Sequence, residues 1–239
     1  MFHCGAAGTG RRGVILGSAA AAVARPARAQ TAVDLLLMLA VDASGSVNAE
    51  RFELQKQGYV QAFRNPRVLD AIQGGGERAI AVAMVQWTGP ALQARVLPWS
   101  RIADAASAAA VAGAIEAVPR KLFGGGTSIS GVIDFAMAEF EHATFAAPRH
   151  VIDISGDGRN NIGRPSDDAR DDAVNAGAVI NGLPILNIEP DLDEQYRDHV
   201  IGGAGSFMIA IDSYAQFADA ILRKLVNEIA GRASGVGPG

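Results

Sequence analysis

The chain has 239 residues, 49% of them hydrophobic and 19% charged, with a formal net charge of -4. That length suits one ordinary domain with a short extension, and that balance excludes extended disorder. No Lys/Arg run follows residue 30, which argues against a nucleic-acid partner.

In chain order, residues 1–29 read as an export signal. Arg11 and Arg12 supply positive charge, residues 13–23 form a short apolar region, and Ala27-Arg28-Ala29 resembles a cleavage site. The twin arginine fits a folded-export route as well as the general secretory one. The apolar part is too short to span a bilayer. The expectation is a bacterial periplasmic or secreted protein with no membrane span in its mature part. The only cysteine, Cys4, lies in this segment, so disulfides, thiolate zinc sites and cysteine catalysis are excluded beyond it.

The domain is expected over residues 32–230, with a flexible tail at 231–239. A strand is expected over residues 33–41, where Leu35 to Val41 form a continuous apolar run, the pattern of a strand covered on both faces. A helix follows at 49–63, ended by Asn65-Pro66. Residues 79–87 form a second strand. The short link Thr88-Gly89-Pro90 cannot hold a crossover helix, so the strand at 92–97 should run antiparallel. Helices are expected at 102–118, 128–142, 165–178 and 193–200, and further strands at 150–154, 183–188 and 207–211. The last helix has the clearest period, with Tyr214, Phe217, Ile221, Leu225 and Ile229 on one stripe. The sum is an α/β fold: a doubly wound, mostly parallel six-stranded sheet with one antiparallel edge strand and helices on both faces.

Chemistry gathers where strands end. The first strand stops at Asp42-Ala43-Ser44-Gly45-Ser46. Open α/β sheets place ligands at that edge, and oxygen donors without nitrogen or sulfur suit a hard divalent cation such as Mg²⁺ or Mn²⁺. A glycine run, Gly124-Gly125-Gly126, leads into Thr127-Ser128 and a helix. The strand at 150–154 runs into Ser155-Gly156-Asp157-Gly158. Arg159, Asn160 and Asn161 follow on the same rim as candidate partner contacts. Asp153 is an acid inside an apolar strand and needs a partner; a neighbouring arginine or a backbone N–H is expected. Asp153-x-Ser155-x-Asp157 imitates an EF-hand loop, but its twelfth position is Arg164 rather than glutamate. Trp87 and Trp99 read as packing residues, and the scattered His3, His142, His150 and His199 as structural or solvated.

Asp-x-Ser-x-Ser, Gly-Gly-Thr-Ser and Ser-Gly-Asp-Gly come in the order of a metal-ion-dependent adhesion site. On these motifs the chain resembles the von Willebrand factor A (VWA) domain family over about residues 33–230, and in particular exported bacterial stand-alone members of uncharacterised role (DUF1194-like). The resemblance implies a Rossmann-like VWA fold with a metal held by Asp42, Ser44, Ser46, Thr127 and Asp157. Ser44, Ser46 and Thr127 would be direct ligands, with Asp42 and Asp157 acting mostly through water. The ion would be Mg²⁺, or Mn²⁺ or Ca²⁺, and its remaining ligand an acidic side chain of a partner protein.

Enzyme readings are weaker. A serine hydrolase wants Gly-x-Ser-x-Gly and a late histidine, yet Asp42 stands two residues before Ser44. A P-loop needs a lysine before its hydroxyl residue, and Gly126 precedes Thr127 directly. The alternatives to a binding module are a metal-assisted hydrolase on the same sheet and a structural domain with an unused site.

Overall fold

The computed structural model describes residues 1–3, 5 and 30–231. The export signal and Cys4 thus fall almost wholly outside the described residues, as does the tail beyond Gly231.

A five-stranded sheet organises the molecule. Its strands are β2 (Leu36–Asp42), β3 (Ile80–Trp87), β4 (Gln93–Ile102), β6 (His150–Gly156) and β7 (Ala178–Pro184), in the order β4-β3-β2-β6-β7. β2 pairs parallel with β3 and β6, and β6 with β7; β4 is the antiparallel edge. A two-residue parallel pair, β1 (Thr31–Ala32) with β5 (Phe145–Ala146), stands apart. The helices are α1 (Ala49–Arg64), α2 (Pro66–Gln73), α3 (Ala105–Glu116), α4 (Ile129–Glu141), α5 (Ser166–Asn175), α6 (Leu192–His199) and α7 (Phe217–Ala230).

The apolar run of β2 divides by parity. Leu35, Leu37, Leu39 and Val41 face one core with Tyr59, Phe63, Ile115, Phe217, Ile221 and Leu225. Leu36, Met38 and Ala40 face the other with Ile129, Val132, Ile133, Ala173 and Tyr196. Alternate side chains point to opposite faces of a strand, and helices cover both. The doubly wound, mostly parallel architecture expected from the sequence is the one observed.

Among the described residues the main sheet has five strands rather than six. Residues 207–211 run beside β7 and exchange hydrogen bonds with Gly182 and Pro184, but make only isolated bridges, Gly182 with Met208 and Ile185 with Ile211. Pro184 has no N–H to donate, so a continuous ladder cannot form. The neighbouring strand, expected at 183–188, lies instead at Ala178–Pro184. Asn181 and Gly182 hide it in the sequence, because they interrupt its apolar pattern. Two further departures are local. Asn65 ends α1 and also caps α2, its side chain accepting from the Arg67 N–H at 3.0 Å with Pro66 in the first turn. β4 extends to Ile102, and Asp104 and Ser107 then form a capping box that starts α3 at Ala105.

The buried acid of β6 pairs with a lysine, not with the arginine or backbone N–H expected. Asp153 Oδ1 lies 2.6 Å from Lys224 Nζ, which also contacts Glu228 Oε1 at 2.5 Å, both from α7. Asp153 and Lys224 are fully buried and Glu228 nearly so. Asn181 donates to Glu228 Oε1 at 2.9 Å. The Arg149 guanidinium donates to the backbone carbonyls of Glu228 and Ile229. Tyr59 of α1 also feels the charges of Asp153 and Glu228.

Burial first, and then the charge of Asp153, raise the Glu228 carboxyl from 4.5 to about 7. A folded-state value above the unfolded one means that the native chain binds this proton more tightly. The stabilisation is complete below about 4.5 and is lost as pH rises through about 7. Melting in chelator at fixed ionic strength should therefore show Tm falling between pH 5 and pH 8, with part of that slope removed in Glu228→Gln. Equal slopes in the two proteins would exclude Glu228 as its source.

Candidate metal centre

The winding reverses at β2. The chain leaves this strand toward β3 on one side and returns on the other through β6, and the crevice at such a switch point is where open sheets bind ligands. Asp42 is the last residue of β2, and Asp157 immediately follows β6. The register that pairs Val41 with Ser155 sets both ends level.

Three loops meet there. The first, Asp42 to Ser46, wraps around its own acid. Asp42 is fully buried and accepts from the Ser44 N–H at 2.7 Å and the Asp157 N–H at 3.4 Å. Ser44 Oγ and Ser46 Oγ lie 3.1 Å apart, and the Ser46 hydroxyl donates to Asp157 Oδ1. The second loop touches the first through the Gly45 N–H and the Gly125 carbonyl, 3.4 Å apart. Gly125 has φ +103°, and a Cβ there would stand 2.5 Å from Thr88 Oγ1. The Thr88 hydroxyl lies 2.9 Å from the Gly124 carbonyl and 2.8 Å from that of Gly126. The loop thus needs a glycine both for backbone sign and for space.

Thr127 is buried and held by the third loop. Its N–H donates to Asn161 Oδ1 at 2.8 Å, and its carbonyl accepts from the Asn161 N–H at 2.9 Å. Its hydroxyl would lie 3.4 Å from a Cβ on Gly158. Asp42, Ser44, Ser46 and Asp157 are therefore joined at one place, with Thr127 beside them against Gly158. Of the three rim residues, Asn160 accepts from the Ser130 N–H and donates to the Arg164 carbonyl, so its amide ties the third loop to α4. Asn161 fastens Thr127. Arg159 is at the surface, paired with Glu189 and Asp191.

The electrostatics are those of acids crowded without enough water. Burial, opposed by the Ser44 N–H and assisted by the charge of Asp157, raises the Asp42 carboxyl from 3.8 to about 7. Burial and the same two carboxylates push the Tyr214 hydroxyl well above its ordinary value. A cation among these groups would relieve both strains. The donor set, carboxylates and hydroxyls without nitrogen or sulfur, fits a hard divalent ion. Among the described residues no cluster of three or more His, Cys, Asp or Glu could hold a metal, so an ion here depends on the hydroxyls.

Some functional neighbours were not legible in the sequence. Tyr214, in the 3-10 turn Tyr214–Gln216 before α7, donates to Asp157 Oδ2 at 2.9 Å across 57 residues of chain. Gln55 of α1 donates to the Asp42 carbonyl at 3.2 Å, and Arg120 to those of Ala43 and Ser44. Arg51 reaches Asp157 from the first turn of α1. Only Arg51 left a signal: a cation five residues after Ser46, at the start of a helix.

A family profile described as a protein of unknown function, DUF1194, matches residues 32–233. No curated protein matches the chain. Solved structures do. Proximal thread matrix protein 1 of the mussel byssus superposes with TM-score 0.61 at 14% identity, over 84% of this chain and 49% of its own. It has also been solved with zinc in its metal-ion-dependent adhesion site. A von Willebrand factor type A protein from Catenulispora acidiphila gives 0.58 at 19% identity, over 83% and 43%. The pilus adhesin SpaC of Lactobacillus rhamnosus GG gives 0.60 at 15%, over 83% and 31%. The chain spans less than half the length of each of these, and at these identities the likeness is one of fold. With the profile covering the sheet, its helices and all three loops of the site, the chain belongs to the DUF1194 family and has the fold of a VWA domain.

Proposed function

We propose that this chain is a non-enzymatic, metal-dependent protein-binding module that works outside the cytoplasm. What carries the reading is the convergence of three loops at the switch point of the sheet, where Asp42, Ser44, Ser46 and Asp157 are joined by hydrogen bonds and Thr127 stands against Gly158. Ser44, Ser46 and Thr127 would hold Mg²⁺, or Mn²⁺ or Ca²⁺, directly; Asp42 and Asp157 would act through water. Neutral hydroxyl ligands leave the ion electron-poor, and what it supplies is one open coordination position for a partner's carboxylate.

The surroundings of the site support a protein partner. Leu92, Phe123, Ile162 and Ile188 are exposed, Phe123 by 77%. Each lies on a loop at the carboxyl edge of the sheet. Apolar side chains around a polar centre suit an interface with a protein better than capture of a small polar solute. The mussel protein with zinc in its site and the pilus adhesin belong to the same fold class, and a metal-dependent adhesive role is carried over from them as part of this proposal. Export is supported by the Arg11-Arg12 segment and by the cysteine-free remainder of the sequence. A binding role is preferred to hydrolysis because, among the described residues, no histidine is paired with Asp42, Ser44, Ser46, Thr127 or Asp157. His150 stacks on Phe140 at the opposite end of β6, and His199 sits beside Asp167.

Titration with Mn²⁺, followed by the electron paramagnetic resonance of the free ion, tests the reading. One ion per chain is expected to bind, and binding should be lost in Ser46→Ala combined with Thr127→Ala. No saturable uptake at millimolar Mn²⁺ would end it.

A further inference from the structure

Arg51 is a charged group at the centre that the reading above does not use. Its N–H begins α1 by donating to Asn48 Oδ1 at 2.8 Å, which fixes the first turn of the helix beside the Asp42–Ser46 loop. From there Nη1 donates to the Ser46 carbonyl at 2.8 Å and lies 3.5 Å from Asp157 Oδ2. The guanidinium carbon stands 5.6 Å from the Tyr214 ring centroid, and the Tyr214 hydroxyl donates to the same Oδ2 at 2.9 Å. The two partners differ in setting. Asp157 is fully buried, whereas the Arg51 side chain is 30% exposed. This guanidinium therefore faces a buried acid, while part of the Arg51 side chain stays open to solvent.

We propose that Arg51 is the resident cation of the site: it competes with the divalent ion for Asp157, and it supplies the second positive contact for the partner's carboxylate. The inference rests on the metal-binding reading. A positive charge already beside Asp157 repels an arriving cation and weakens metal binding. The same charge favours an anion, and the planar guanidinium fork matches a carboxylate. Arg51 thus trades metal affinity for partner affinity. Without the ion, one positive charge stands beside the two carboxylates, and the site grips tightly only when ion and carboxylate are both present.

The two effects have opposite signs, which separates this role from simple support of the loop. In calorimetric titrations with Mn²⁺ alone, Arg51→Met and Arg51→Gln should each bind about tenfold more tightly than wild type, on the scale of one unscreened neighbouring charge. Arg51→Lys, which keeps the charge, should stay near wild type. With Mn²⁺ saturating and a blocked single-glutamate peptide as probe, Arg51→Met and Arg51→Gln should bind the peptide several-fold more weakly. Mn²⁺ affinity that is unchanged or weaker in both neutral variants would overturn the proposal, as would unchanged peptide affinity. If wild type takes up no Mn²⁺, the metal reading fails and this inference with it. If wild type binds Mn²⁺ and the neutral variants match it, only the role of Arg51 fails.

Discussion

Millimolar Mg²⁺ or Mn²⁺ is expected to raise the melting temperature of the wild-type chain by about 5–10 °C, and that of Asp42→Ala not at all. A ligand that binds only the native state adds roughly 2.7 kcal/mol at one hundred times its dissociation constant. For a domain of this size each kcal/mol moves Tm by about 2–4 °C. The native state alone brings the donors together, because they come from loops that follow β2, precede α4 and follow β6. An unfolded chain offers no such site. Asp42 anchors the arrangement through the N–H groups of Ser44 and Asp157, so its loss should abolish the gain. Because Asp42 is buried, the variant also loses stability without metal. Ser46→Ala, at a half-buried position, separates the two effects: it should melt near wild type in chelator and respond far less to the ion. Identical melting of wild type with chelator and with metal would instead support a structural domain with an unused site.

Lys224→Met should be the most damaging substitution away from the site, lowering stability by about 3–5 kcal/mol and Tm by about 10 °C. Lys224 Nζ is the cation between Asp153 and Glu228, in a region closed to solvent. Removing it leaves the buried Asp153 carboxyl without its partner, which is costly in a poorly solvated interior. The loss should be partly reversible by chemistry rather than by refilling volume. Lys224→Met combined with Asp153→Asn and Glu228→Gln should recover much of the stability, since neutralising a whole buried ionic cluster costs less than breaking it. Chemical denaturation of the single and triple variants measures this. A single-variant loss under about 1 kcal/mol would mean that the lysine is not what balances the cluster.

Local pattern made much of this legible. Leu36 to Val41 read as a doubly covered strand because every residue of the run is apolar. The short Thr88–Pro90 link foretold the antiparallel edge because no helix fits into it. The three motifs lie at strand ends and a helix start, where glycines and hydroxyls stand out against apolar neighbours. Harder to read were elements whose logic is not local. Asn181 looks like a loop residue, yet it sits within β7, where it donates to Glu228 and accepts from the Phe207 N–H. Residues 207–211 look like a strand, but Pro184 breaks their ladder. The partner of Asp153 lies on α7, 71 positions away in the sequence.

By itself, then, the sequence determined the alternation of covered strands and helices and the kinds of donor at the sheet edge, because periodicity and residue chemistry are properties of short segments. Only the tertiary structure decided which groups meet. It brought Tyr214 and Arg51 onto Asp157, Lys224 between two acids, and Asn161 onto Thr127. Those pairings depend on strand register and helix docking, which are set by burial of the two cores across the whole chain and leave no mark on any one stretch of it.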